Sequence, residues 1–185
     1  PHLAPVAPAA PLVRDVLRGE QHDEAEFLFD QGLTDGLPVV PPSPERVLRM
    51  LAGTERDPQD EVAVVPPNMA PCTVEKVAIN AVMAGCRPEY LPVVIAATEL
   101  MLRDEFNVNG VQGTMHGVAP MMIVNGPYAS DIGIHGGNGC MGPGFRANAT
   151  IGRAIRLILM NLGAGIPGVS SMTLFGMPSR LTYCL

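Results

Sequence analysis

Between His135 and Asn148 the chain reads His-Gly-Gly-Asn-Gly-Cys-Met-Gly-Pro-Gly-Phe-Arg-Ala-Asn, with five glycines in the nine residues from Gly136 to Gly144. Glycine loses more backbone freedom on ordering than any other residue and enters positive φ readily, so a run of this density builds a loop rather than a helix or a sheet ladder. The apolar stretch that follows, Ala147 to Asn161, has the pattern of a long helix stopped by Gly163. A glycine loop directly ahead of a helix leaves backbone N–H groups free for a ligand, while the helix N-terminus adds partial positive charge. The junction is therefore a candidate anion cradle. A tight connection whose glycines only permit close packing is the plainer alternative.

Other segments are punctuated in the same manner, and their caps predict an alternation of elements. Asp23 opens a short amphipathic helix to about Gln31, and Thr34 to Pro42 is a turn running into a stiff extended arm. Ser43 caps a helix with Pro44 at its first position and Gly53 at its close. Glu61 to Val65 is a short strand ended by Pro66-Pro67. Thr73 caps a helix through Ala84 with Gly85 as its stop, and Pro88 begins another to about Arg103. Val111 to His116 and Pro120 to Asn125 read as two short strands. These elements predict a mixed α/β (α+β) fold, short strands with several packed helices, as one main domain over 23–185. Residues 1–22 form a Pro/Ala-rich extended arm that wraps a neighbour or stays unordered. The apolar, strand-like run Arg180 to Leu185 stops without a polar tail, so the expectation is a continuation or a partner beyond it.

Size and charge bound the functions. A chain of 185 residues, 47% hydrophobic, buries roughly 70% of its unfolded surface in one core. A net charge of −6 and a pI near 5.1, with no basic stripe, argue against nucleic acid or an anionic membrane as partner. The longest apolar runs, Leu91 to Leu102 and Ile155 to Leu162, fall short of the ~20 residues that cross a bilayer. Four cysteines, Cys72, Cys86, Cys140 and Cys184, are too scattered for a disulfide scaffold, and no signal peptide precedes them, which fits reduced thiols in a cytoplasm. Cys72 and Cys86 flank a helix about 20 Å long, a geometry that disfavours their pairing. Low charge among exposed turns points to buried subunit faces and an oligomer.

Within the glycine loop Cys140 is the sharpest candidate. A thiol near a helix start and Arg146 acquires thiolate character and serves as nucleophile or soft metal ligand, although a free cysteine is also a common small core residue. If Val111 to His116 is a strand, Gln112, Thr114 and His116 share one face of it. His116 or His135 would then act as general base beside Cys140, or the three would ligate a metal with an open position. No CxxC, HExxH or His-x-His spacing supports the metal, and no Gly-Lys-Ser/Thr makes the loop a nucleotide-binding one. Substrate contacts fall to Gln112, Thr114, Asn125, Gly137, Gly139, Arg146 and Asn148, with turn formation or capping as the structural alternative for the asparagines. Arg153 and Arg156, one turn apart, are expected to pair with acids. His2 and His22 are discounted.

Three phrases resemble a largely uncharacterised bacterial family associated with UGSC-type (seleno)proteins: Asp35-Gly-Leu-Pro-Val-Val-Pro-Pro42, Thr73 to Tyr90, and Gly139-Cys-Met-Gly-Pro-Gly-Phe-Arg-Ala-Asn-Ala-Thr-Ile-Gly-Arg-Ala154. The resemblance spans about Thr34 to Cys184. It implies a two-part enzyme in which a partner chain or fused region carries a selenocysteine-or-cysteine Gly-Ser-Cys motif, absent from this sequence. This chain would then supply the substrate pocket and subunit contacts.

Three functions follow as expectations. The leading one is a subunit of a small-molecule enzyme, an oxidoreductase or lyase, using Cys140 with His116 or His135 and a partner thiol or selenol. The step would be redox, sulfur transfer or C–X bond cleavage, with an anionic substrate on the Gly136 to Gly144 loop. The second is a metal-dependent hydrolase or lyase with His116, His135 and Cys140 as ligands; the pattern demands no other cofactor. The third is a non-catalytic assembly subunit.

Overall fold

The computed structural model describes residues 23–185, so the expected Pro/Ala arm over 1–22 lies outside the described residues. Among the described residues the architecture is mixed α+β: short helices around one long helix, with a single two-stranded antiparallel sheet. No helix among the described residues is long and apolar enough to cross a membrane.

The caps set most boundaries. The Asp23 carboxylate accepts from the Ala25 and Glu26 amides and starts α1, Glu24–Asp30. Ser43 accepts from the Arg46 N–H ahead of α2, Pro44–Leu51. Strand β1, Glu61–Val65, pairs antiparallel with β2, Ala70–Thr73, the register running from Glu61 opposite Thr73 to Val65 opposite Ala70. The Thr73 hydroxyl then accepts from Lys76 N–H to cap α3, Val74–Ala84, which ends at Gly85 with φ +88°, a conformation that glycine enters without strain. A 3₁₀ turn at Pro88–Tyr90 leads into α4, Leu91–Met101, followed by α5, Val108–Gly113, α6, Pro127–Asp131, and α7, Arg146–Asn161.

Helices α3 and α7 form the principal pair, flanked by α2 and α4. Val74, Val77, Ala78 and Ala81 of α3 meet a core that includes Ile151, Ala154, Ile155 and Ile158 of α7, all buried. Small residues at Ala78, Ala81 and Ala154 let the helices approach, and the branched residues fill the space between, each full burial contributing about 1.5–3 kcal/mol.

Two expected strands are corrected. Val111 to His116 is not extended: Asn107 caps α5 by accepting from Gly110 N–H, and Val108 and Gln112, four apart, both turn inward. Helical spacing therefore prevails over the apparent alternation, and Gln112, Thr114 and His116 do not share a strand face. Pro120 to Asn125 has no neighbouring strand in sequence. Met122 instead makes a parallel bridge with Cys184, through Met122 N–H to the Tyr183 carbonyl at 2.9 Å and Leu185 N–H to the Met122 carbonyl at 3.0 Å. Residues Tyr183 to Leu185 are thus paired with Met122 and Val124.

That docking depends on Gly152. A Cβ at this position would lie 2.4 Å from Thr182 Oγ1 and 2.5 Å from Tyr183 N, closer than any side chain tolerates. Thr182 Oγ1 lies 3.0 and 2.8 Å from the carbonyls of Asn148 and Ala149, to which it donates. Gly152→Ala is expected to cost about 1–3 kcal/mol through overpacking and to speed hydrogen exchange at Leu185 N–H; unchanged exchange there would refute the close approach.

One residue further along α7, Arg153 holds the turn at 35–38. Its guanidinium reaches both Asp35 oxygens at 2.8 and 2.7 Å and the carbonyls of Leu37 and Pro38 at 3.1 and 3.0 Å. The side chains are 16% and 2% exposed for Arg153 and Asp35, which makes this a buried pair rather than a surface one. Burial pushes the Asp35 carboxyl up, but the hydrogen bonds and charge of Arg153 outweigh it and hold the group below 3.8. A pKa depressed in the folded state gives stability that is fully present above the unfolded carboxyl value and is lost as pH falls through the folded one. Asp35→Asn is expected to lower stability by about 3 kcal/mol. Urea titrations should also show a flatter loss of stability below pH 4 than in the wild type, about where a free aspartate protonates.

Candidate functional site

The glycine loop is built around Asn148, the third residue of α7. Its side chain is buried, accepting from His135 N–H at 2.9 Å and donating from Nδ2 to the carbonyls of His135 at 2.8 Å and Cys140 at 3.3 Å. One amide thus ties together both flanks of the loop. Inside it, Cys140 N–H donates to the Gly137 carbonyl and Gly142 N–H to that of Gly139, forming two tight turns. Gly139 and Gly144 have φ +80° and +118°, which restricts these positions to glycine. The N–H groups of Gly136, Gly137, Gly139 and Met141 have no acceptor among the described residues.

Among the described residues neither histidine ring is hydrogen-bonded to the Cys140 thiol. The His135 ring stacks on Phe145 with centroids 3.9 Å apart and planes 15° from parallel. Its Nε2 lies 3.1 Å from the Asn138 carbonyl, which can only accept, so Nε2 carries the proton in that contact. His116 is exposed beyond the end of α5, and its carbonyl accepts from Val118 N–H and Thr173 Oγ1. Among the described residues no three histidine, cysteine, aspartate or glutamate side chains converge to hold a metal ion, so His116, His135 and Cys140 do not form the expected ligand set.

Other expected contacts are also reassigned. Arg146 points away from the loop and donates twice, at 3.1 and 2.9 Å, to the Gly85 carbonyl at the end of α3. The Thr114 hydroxyl accepts from His116 N–H, closing a local turn, and Asn125 is exposed before Gly126. Gly137 packs beneath the His135 ring, where a Cβ would sit 3.0 Å from Cε1.

The four thiols differ sharply in environment. Cys72, Cys86 and Cys184 are buried, and desolvation pushes their thiols up to about 12, 12 and 11. Cys140 alone is partly open to solvent.

A second polar constellation lies at the other end of α7. Arg156, only 7% exposed, donates to Gln112 Oε1 at 3.3 Å and to the Gly165 carbonyl at 2.9 Å. Arg180 donates to the carbonyls of Val118 and Val111 at 2.9 and 3.1 Å and to the Ser171 hydroxyl. Neither arginine has a carboxylate within salt-bridge distance among the described residues, contrary to the expectation for Arg156; its neighbour Arg153 takes Asp35. Gln112, Arg156, Ser179 and Arg180 line one cavity. Gln112 was expected as a substrate contact and Arg156 as the partner of an acid, whereas Ser179 and Arg180 were not expected at a site. The available signal was that Arg156 occupies the apolar stripe of α7 with Gly152, Ile155 and Leu159.

Replacing Asn148 by Asp preserves size but sets a carboxylate against two carbonyl oxygens. Asn148→Asp is expected to destabilise by about 2–4 kcal/mol, more than Asn148→Ala, because it adds repulsion to the lost donors. Paired urea denaturation curves check the order, and Asp outranking Ala in stability would contradict the assigned amide orientation. Compared with protein-family models, curated proteins and solved structures, the chain matches none.

Proposed function

We propose that this chain is a subunit of a small-molecule enzyme using thiol chemistry, with Cys140 as the reacting group in a redox, sulfur-transfer or C–X bond-cleaving step. The carrying observation is the segregation of thiols: three are buried with raised pKa values, whereas Cys140 is accessible on a loop fastened by Asn148. Uncommitted N–H groups at Gly136, Gly137 and Gly139 support the loop as the seat of an anionic substrate. With His135 engaged by Phe145 and Asn138, the base or second thiol comes from the substrate or from a partner subunit, in line with the resemblance to the UGSC-associated family.

An assembly role without catalysis is favoured by a different observation. Met115, Met121 and Ile123, together with Val169, Leu174 and Phe175, are large apolar residues exposed to solvent, Phe175 completely. Large apolar side chains left in water mark protein contacts where they gather into a patch.

Iodoacetamide labelling of the native chain, followed by peptide mass spectrometry, separates the two. The enzymatic reading expects Cys140 to be alkylated at neutral pH faster than glutathione, while Cys72, Cys86 and Cys184 stay unlabelled until denaturation. Labelling of Cys140 no faster than glutathione, or a Cys140→Ser variant leaving the assembled complex fully active, would favour the assembly reading.

A further inference from the structure

The cavity between α5, α7 and residues 179–183 concentrates donors without an anionic partner. Ten guanidinium N–H bonds belong to Arg156 and Arg180, and five of them have acceptors. Gln112, 4% exposed, has an Nε2 with no hydrogen-bond partner, and the Ser179 hydroxyl oxygen is likewise buried and unpartnered. Buried polar groups without partners cost free energy, and two guanidiniums close together add mutual repulsion. The effect registers on Arg156, whose pKa falls to about 10, through burial first and the charge of Arg180 second. Asp35 acts in the opposite sense but is committed to Arg153.

A bound anion cancels the surplus charge and accepts from donors that are otherwise unmatched. We infer that this cavity binds the carboxylate group of a small organic acid, with Arg156, Arg180, Gln112 and Ser179 as donors. The lining favours an organic carboxylate over inorganic phosphate, because apolar side chains stand beside the arginines and would leave a fully polar ion partly unsolvated. Met122, Ile155 and Leu159 on the walls suit a short aliphatic remainder. The two arginines explain an anion, and the apolar walls explain why it is an organic one. The site shares no residue with the Cys140 loop and stands independently of that chemistry.

Isothermal titration of the full chain with sodium butyrate, beside sodium phosphate and sodium chloride at matched ionic strength, tests the inference. The expected result is saturable butyrate binding at one site per chain, weaker binding of phosphate, and none of chloride. Arg180→Gln should weaken butyrate at least about tenfold, the loss of a charge-assisted hydrogen bond. Ser179→Ala should weaken it less, and it replaces Arg180→Gln if circular dichroism finds that variant unfolded. Absence of saturable butyrate binding overturns the site, as does undiminished affinity in the folded variant. Phosphate binding more tightly than butyrate overturns the carboxylate assignment.

Discussion

Helix α7 is enclosed on most of its surface, yet it carries polar side chains that cannot be left without partners in the interior. Several polar side chains of the helix, the exposed Arg146 among them, are held by different segments of the chain. Arg146 takes the carbonyl that ends α3, Asn148 the flanks of the glycine loop, Arg153 the turn at 35–38, and Arg156 the end of α5 and the Gly165 carbonyl. The apolar residues between them supply the packing energy, while these polar residues decide which segment lies where. With one small sheet among the described residues, positioning falls largely to this helix.

Charge in the interior is managed in two distinct ways. Asp35 and Arg153 neutralise one another in bidentate contact, so that turn is complete in itself. Arg156 and Arg180 are surrounded by neutral acceptors only, which satisfy hydrogen-bond geometry without cancelling charge. Two arginines one turn apart on the same helix therefore play opposite parts, one structural and closed, the other open to a ligand.

The sequence was most legible where structure is decided locally. Asp23, Ser43, Thr73 and Gly85 mark their helix ends because a cap involves residues two to four positions away. Strand β2 escaped notice because four residues containing Pro71 carry no alternation of their own and become a strand only against β1. The pairing of Met122 with Cys184 was hidden by their separation, although both runs looked extended. At the glycine loop, Cys140 was expected as the reacting thiol and Asn148 as a substrate contact. Asn148 fastens the loop, and Arg146 closes a neighbouring helix. The arginine cavity was illegible for the same reason as the Met122 pairing, since its donors come from positions 112, 156, 179 and 180 and meet only in the tertiary fold.

The close approach at Gly152 has a thermodynamic corollary. Ser179 and Arg180 lie on the same terminal stretch that Thr182, Tyr183 and Leu185 fasten to α7 and Met122, so peeling that stretch away opens the cavity wall. Whatever occupies the cavity and needs this wall binds the closed form alone. Occupancy and closure are then linked equilibria: each tenfold excess of ligand over its dissociation constant adds about 1.4 kcal/mol to holding the terminus in place. The free energy of local opening thus reports how full the cavity is.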